Sequence, residues 1–111
     1  MNKYGAKRTW SELCQRTFDS KAEAKRGEEL RLLEMAGEIK HLMYQYPFPL
    51  CEKPKVTIKI DFRYLQPADD GRFYEPVFED VKGKMTREFR VKLAWLKEKY
   101  GIDVKLIRKE E

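Results

Sequence analysis

The stretch from Val56 to Asp61 constrains this chain more than any other. Val56, Ile58 and Ile60 alternate with Thr57, Lys59 and Asp61, the period of two that an extended strand with unlike faces requires. Behind it comes Gln66-Pro67-Ala68-Asp69-Asp70-Gly71, a run of turn formers, and then Phe73 to Lys82 with Tyr74, Val77, Phe78 and Val81. Two such runs around a turn-rich segment predict a hairpin with a longish, mobile loop.

Helices are expected on both sides of that hairpin. Residues 20–36 are rich in Ala, Glu, Leu, Lys and Arg and lack Pro, with Gly37 where a C-terminal cap belongs. Residues 86–100 place Phe89, Leu93, Leu96 and Tyr100 at helical spacing, with Thr86 as N-cap and Gly101 as the stop. Between the first helix and the hairpin, Ile39 to Tyr46 reads as a strand that should end before Pro47 and Pro49. Ile102 to Ile107 alternates as a last short strand. Residues 1–16, with Lys3, Lys7 and Arg8 beside Tyr4 and Trp10, read as a loosely ordered basic arm ending in a short extended piece.

The resulting order is helix, strand, strand, strand, helix, strand, with no repeat, low-complexity tract or long linker. It predicts one α/β domain over residues 1–111, a mixed sheet flanked by helices. At 111 residues there is room for one core. A hydrophobic fraction of 41%, with many aromatics, supplies that core and argues against a disordered chain, while 39% charged residues set a highly charged surface.

Charge and cysteine count narrow the function classes. Lys and Arg exceed Asp and Glu by 24 to 19, a net +5 that would attract a polyanion. Cys14, Cys51 and the single His41 do not make a zinc cluster. Neither a secretory h-region nor an apolar run of about 20 residues occurs, and a cytoplasmic location is expected.

Chemistry concentrates in the hairpin. Asp61 lies in the first strand; Asp80 and Lys82, two residues apart and so on one face, lie near the end of the second. Two carboxylates within reach of each other repel unless a cation lies between them, and oxygen donors suit Mg²⁺ or Mn²⁺. An ammonium beside them could hold or deprotonate an attacking water and steady charge on phosphoryl oxygens. The alternative is a set of surface ion pairs, Asp80 with Lys82 or Asp61 with Arg63. Glu23 has two readings as well. It shares a helix face with positions 26, 27, 30 and 33, which turns it toward the core; and with Ser20 it completes S-x-x-E, a capping box. Glu79 points opposite to Asp80 and reads as a surface residue.

The set Asp61 … Asp80-Val81-Lys82 within this element order resembles the PD-(D/E)XK nuclease superfamily. Lys3-Tyr4-Gly5-Ala6-Lys7, Phe18-Asp19-Ser20-Lys21-Ala22-Glu23-Ala24, Ala36-Gly37-Glu38-Ile39 and Glu79-Asp80-Val81-Lys82-Gly83 are similar to a family of small phage proteins assigned to it. The resemblance implies a restriction-endonuclease-like core (αβββαβ) with a four-stranded mixed sheet. It implies a Mg²⁺- or Mn²⁺-dependent DNA endonuclease in which Asp61, Asp80, Glu23 and the Val81 backbone carbonyl hold the metal and Lys82 is the catalytic lysine. Two departures stand out: Ile60 precedes Asp61 where the motif has Pro, and Gly27 interrupts the helix where the family favours an aromatic, an expected gap or flexible spot.

Lys84, Arg87, Arg90, Lys92, Lys97 and Lys99 follow the motif and form either a phosphate-contacting surface or a solvated helix face. The residues expected to touch DNA are Lys84, Arg87, Lys92, Arg26, Lys3, Lys7 and Arg8. A nuclease this small has no separate sequence-reading domain, which favours action on branched or junction DNA, and cutting two strands calls for a homodimer with two sites. The competing function is a non-catalytic DNA-binding or regulatory module.

Overall fold

The computed structural model describes residues 7–108. In chain order these form β1 (Thr9–Ser11), β2 (Arg16–Phe18), α1 (Lys21–Met35), β3 (Lys40–Cys51), β4 (Val56–Pro67), β5 (Tyr74–Lys82), α2 (Arg87–Tyr100) and β6 (Val104–Arg108). The architecture is mixed α/β. One sheet has the order β3-β4-β5-β6, antiparallel across the first two junctions and parallel between β5 and β6. Among the described residues, no helix is long and apolar enough to cross a membrane.

Both helices begin and end where their caps dictate. Ser20 Oγ accepts the Glu23 amide at 3.1 Å, and Thr86 Oγ1 accepts the Phe89 amide at 3.1 Å. After α2, Gly101 takes φ 70°, a left-handed cap that costs glycine nothing.

Gly27 is no gap. A Cβ there would lie 2.6 Å from Phe18 Cζ and 3.3 Å from Phe62 Cε1, so the missing side chain lets α1 settle directly on the Phe18 ring. The space that an aromatic on the helix would fill is filled from β2.

Two expectations about strands are corrected. β3 continues through Pro47 and Pro49 instead of ending before them. It is an edge strand, and prolines two residues apart turn the same side of the backbone outward, where no ladder bond is lost. The basic arm, in turn, contains a hairpin: β1 pairs antiparallel with β2, Trp10 opposite Thr17. Phe18 of that hairpin is buried in the core, while Trp10 on its other face is exposed. Lys3 and Tyr4 lie outside the described residues.

The apolar residues fall into two clusters. Phe18, Ala24, Leu30, Ile39, Phe62 and Tyr64 pack with α1, joined by Tyr44, Val77 and Val81. Phe48, Leu50, Ile58, Ile60 and Leu96 pack with α2, joined by Tyr46, Phe78 and Val104. On β5 the alternation is regular, Val77 and Val81 toward α1 and Phe78 toward α2, so the helices cover opposite faces there. On β4, however, Phe62 and Tyr64 go with α1 while Ile58 and Ile60, of the same parity, go with α2. On β3 the same change separates Tyr44 from Tyr46. Both strands therefore turn over at one row. Gln45 occupies it on β3, at φ 50°, and Asp61 faces it on β4, between the pairs Tyr44↔Phe62 and Tyr46↔Ile60.

Candidate active site

The site forms where β4 and β5 part. Their regular pairing runs from Pro67↔Tyr74 to Phe62↔Glu79 and stops. Past that point two backbone amides need other acceptors, and side chains supply them. The Asp61 amide donates to Asp80 Oδ1 at 2.9 Å, and the Val81 amide donates to Asp61 Oδ2 at 2.9 Å. Each carboxylate thus ties down the other strand, and the clasp brings the two acids together. Val81 enters through its amide.

Lys82 Nζ stands 3.0 Å from Asp80 Oδ2, completing the expected trio. That oxygen is sealed from water and receives no well-directed hydrogen bond, because the ammonium is near but off the bonding direction. The ammonium lies 3.9 Å from the centre of the Phe89 ring, which holds it by a cation–π contact against the first turn of α2.

Glu23 turns its carboxylate toward the strand acids and not back to the start of the helix. Only half of a capping box forms, the Ser20 hydroxyl accepting from the Glu23 amide. The carboxylate itself is buried and turns to Gln45, whose Nε2 lies 3.4 Å from Glu23 Oε2 and 3.0 Å from Asp61 Oδ1. Gln45 therefore bridges the helix acid to the strand acid. Its role was not visible in the sequence, where it is one polar residue among the aromatics of β3; the left-handed backbone that aims it leaves no local signal.

Burial holds all three acids above the ordinary carboxylate range, and repulsion from neighbouring acids adds to it at Glu23 and Asp61. Glu23 is pushed up to about 8, first by burial, then by Asp61, Asp19 and Asp80, with Arg16 opposing. Asp61 is pushed up to about 6 by burial and by Asp80, against the Val81 amide, Gln45 and Lys82. Asp80 is raised by burial, with Lys82 as the main opposing influence.

This donor set is all oxygen, which suits a hard divalent cation. Asp80 Oδ2, buried and without an aligned donor, is the atom such an ion would satisfy. Asp61 and Asp80 are the residues that could hold it, since Mg²⁺ is commonly bound through one or two carboxylates with waters retained. Glu23 reaches them through Gln45, and among the described residues no three acidic, His or Cys side chains form a ready-made metal cage.

Two other expectations change. Glu79 is not a surface residue but fully buried, because α1 covers its face of the sheet. Arg26 grips it with Nε to Oε1 at 2.7 Å and Nη2 to Oε2 at 2.8 Å, and the Tyr64 hydroxyl donates to it as well. Burial would raise the Glu79 carboxyl, but these bonds outweigh it and hold it below its usual range. Arg26 is accordingly occupied inside the protein and leaves the DNA-contacting set.

Lys92 is engaged within the protein as well, its ammonium donating to the Thr57 carbonyl at 3.3 Å and pairing with Glu88 at 3.3 Å. Lys97 pairs with Asp103 and Lys99 with the Leu50 carbonyl. Lys7, Arg8, Lys84, Arg87 and Arg90 are exposed. Arg8 has only a marginal, solvated contact with Asp19 at 4.0 Å.

A family model described as Protein of unknown function (DUF1064) matches residues 1–109. No curated protein and no solved structure matches the chain.

Proposed function

Since the chain belongs to the DUF1064 family, whose function is unknown, we propose from its own residues that it is a divalent-metal-dependent DNA endonuclease of the PD-(D/E)XK type. On this reading α1, β3, β4, β5, α2 and β6 are the restriction-endonuclease-like core, with β1 and β2 as an addition at the front. The observation that carries it is the clasp of Asp61 and Asp80 at the parting of two strands, with Lys82 against the buried Asp80 oxygen. Surface ion pairs would not be sealed from water or exchanged with backbone amides.

In the reaction a bound Mg²⁺ or Mn²⁺ would polarise a phosphoryl oxygen and make water acidic enough to attack. Asp61 and Asp80 would hold it. Lys82, kept by Asp80 and the Phe89 ring at the edge of the acids, would steady charge on the phosphate in the transition state. Gln45 fixes Asp61 and keeps Glu23 beside it. Exposed Lys84 and Arg87 would contact the strand, branched or junction DNA would be the substrate, and a homodimer in the cytoplasm, a phage host's included, would cut both strands.

One observation favours the alternative of a non-catalytic DNA-binding module. Both oxygens of Asp61 already have donors, so the site is satisfied in part without a cation. Linear, single-stranded, flapped and four-way-junction DNA incubated with Mg²⁺, Mn²⁺ or EDTA separates the two. Metal-dependent cutting is expected, reduced on the order of 10³-fold in Asp61→Ala, Asp80→Ala and Lys82→Ala, with DNA binding retained. Binding without cutting on every substrate, by the unaltered protein, would establish the regulatory module instead.

A further inference from the structure

Among the described residues, Arg16 stands apart as a cation in contact with two rings of the core. It lies on β2, opposite Ser11 of β1, and the hairpin is pinned to α1 by the Ser11 hydroxyl donating to Glu28 Oε2 at 2.6 Å and by the buried Phe18 ring. Its guanidinium sits 4.5 Å from the centre of the Tyr44 ring and 5.2 Å from that of Phe18. Cation–π contacts with two rings set nearly at right angles restrict the rotamer freedom that an arginine has on a surface.

Held in this way, the group has no counterion among the described residues. Among the described residues it forms no ion pair, whereas Arg26 and Arg31 both do. Its Nε is sealed from water without a hydrogen-bond partner, while its Nη atoms are not sealed. Arg63, the other arginine with a sealed and partnerless Nε, differs because it turns Nη1 to the Met43 sulfur at 3.7 Å. Arg16 is also close enough to the acids for its charge to oppose the protonation of Glu23.

A guanidinium held against two rings, its Nη atoms not sealed from water, beside a row of acids but paired with none of them, matches a phosphodiester in shape and charge. We propose that Arg16 is a phosphate-binding residue of the site, holding a backbone phosphate of the nucleic-acid strand next to the one presented to Asp61 and Asp80. The inference rests on the nuclease reading and deepens it. It adds the β1–β2 hairpin to the substrate surface and gives the strand a fixed point contributed from β2.

Fluorescence anisotropy with labelled single-stranded and four-way-junction DNA, in EDTA so that nothing is cut, tests it between about 50 and 200 mM salt. Arg16→Gln is expected to bind about tenfold more weakly, and the slope of log K against log salt should fall by about 0.7 to 0.9, the contribution of one phosphate. Arg16→Lys should keep the slope and lose affinity several-fold, because the charge remains and the fork does not. Wild-type affinity and slope in Arg16→Gln would overturn the inference and leave the nuclease reading standing. No DNA binding by the unaltered protein would overturn both. If Arg16→Gln fails to give a cooperative melt, Arg16→Lys decides: wild-type affinity in that variant overturns the proposal.

Discussion

Beneath α1, charge is enclosed with the hydrocarbon: Glu23, Arg26 and Glu79 lie among Phe18, Phe62 and Tyr64. Beneath α2 the layer is mainly rings and aliphatic chains, with Phe48, Tyr46 and Phe78 tilted against one another at 5.2 to 6.0 Å over Ile58, Ile60 and Leu96, and charge enters it at the rim, where Asp80 and Lys82 meet Phe89. Enclosing ions costs stability that a packed apolar residue would not, so the α1 side is the one where position has been kept at the expense of stability. What it positions is adjacent in sequence. Glu23 lies one helical turn before Arg26, and Asp80 follows Glu79, so the Arg26–Glu79 pair sets the spacing between the helix acid and the strand acids.

The sharpest way to break this comparison is to remove one member from each side. Glu79→Ala leaves half-buried Arg26 with only the exposed Glu29 and leaves the Tyr64 hydroxyl without its acceptor, and should cost about 3–5 kcal/mol in urea unfolding. Leu96→Ala on the other side should cost about 2–5 kcal/mol. Only Glu79→Ala should lower cleavage per folded molecule. Equal cleavage losses in the two variants would mean that the α1 charges do nothing beyond packing.

A smaller effect is expected at Gly27. Ala is ordinarily the better helix former, but here its Cβ would press on the enclosed Phe18 ring. Gly27→Ala should therefore destabilise, by about 1–3 kcal/mol, and thermal melts that show it neutral or stabilised would mean that Phe18 has room to move.

The smallest effect concerns pH. The Glu23 and Asp61 carboxyls, ordinarily near 4.5 and 3.8, titrate at about 8 and about 6 in the folded chain. The folded state thus binds more protons than the unfolded one between about pH 4 and 8, so stability should fall as pH rises through that window. With metal absent, a drop in melting temperature is expected as pH rises from about 4 to 8. Mn²⁺ should recover more of it at pH 8 than at pH 5, since metal and protons compete for the same oxygens. A melting temperature flat in pH, with or without Mn²⁺, would show that the acids are not coupled as described.

The sequence carried those parts of the fold that depend on local chemistry. Ser20 and Thr86 capped the helices as expected, Gly101 stopped α2, and the alternation at Val56 to Asp61 marked β4. It also placed Asp61, Asp80 and Lys82 together, because a hairpin makes that neighbourhood local. What failed depended on who the neighbours are. Pro47 and Pro49 argue against a strand unless it is known to be an edge. Glu79 seemed bound for water because the alternation of β5 opposes it to Asp80, yet both faces of this sheet are covered. Gln45 gave no signal at all, because its importance comes from the face change it shares with Asp61. The β1–β2 hairpin, with strands of three residues, was too short to show any period.

The prolines of β3 have a further consequence for how molecules of this kind meet one another. A sheet rim with free amides is an invitation to any extended chain in the cell, and crowding of like molecules during synthesis makes that invitation dangerous. At Pro47 and Pro49 the rim of β3 has no amide to offer. Continuous cross-molecule pairing along that stretch is chemically blocked, and the growth of fibrils from this side of the protein is discouraged before any partner arrives.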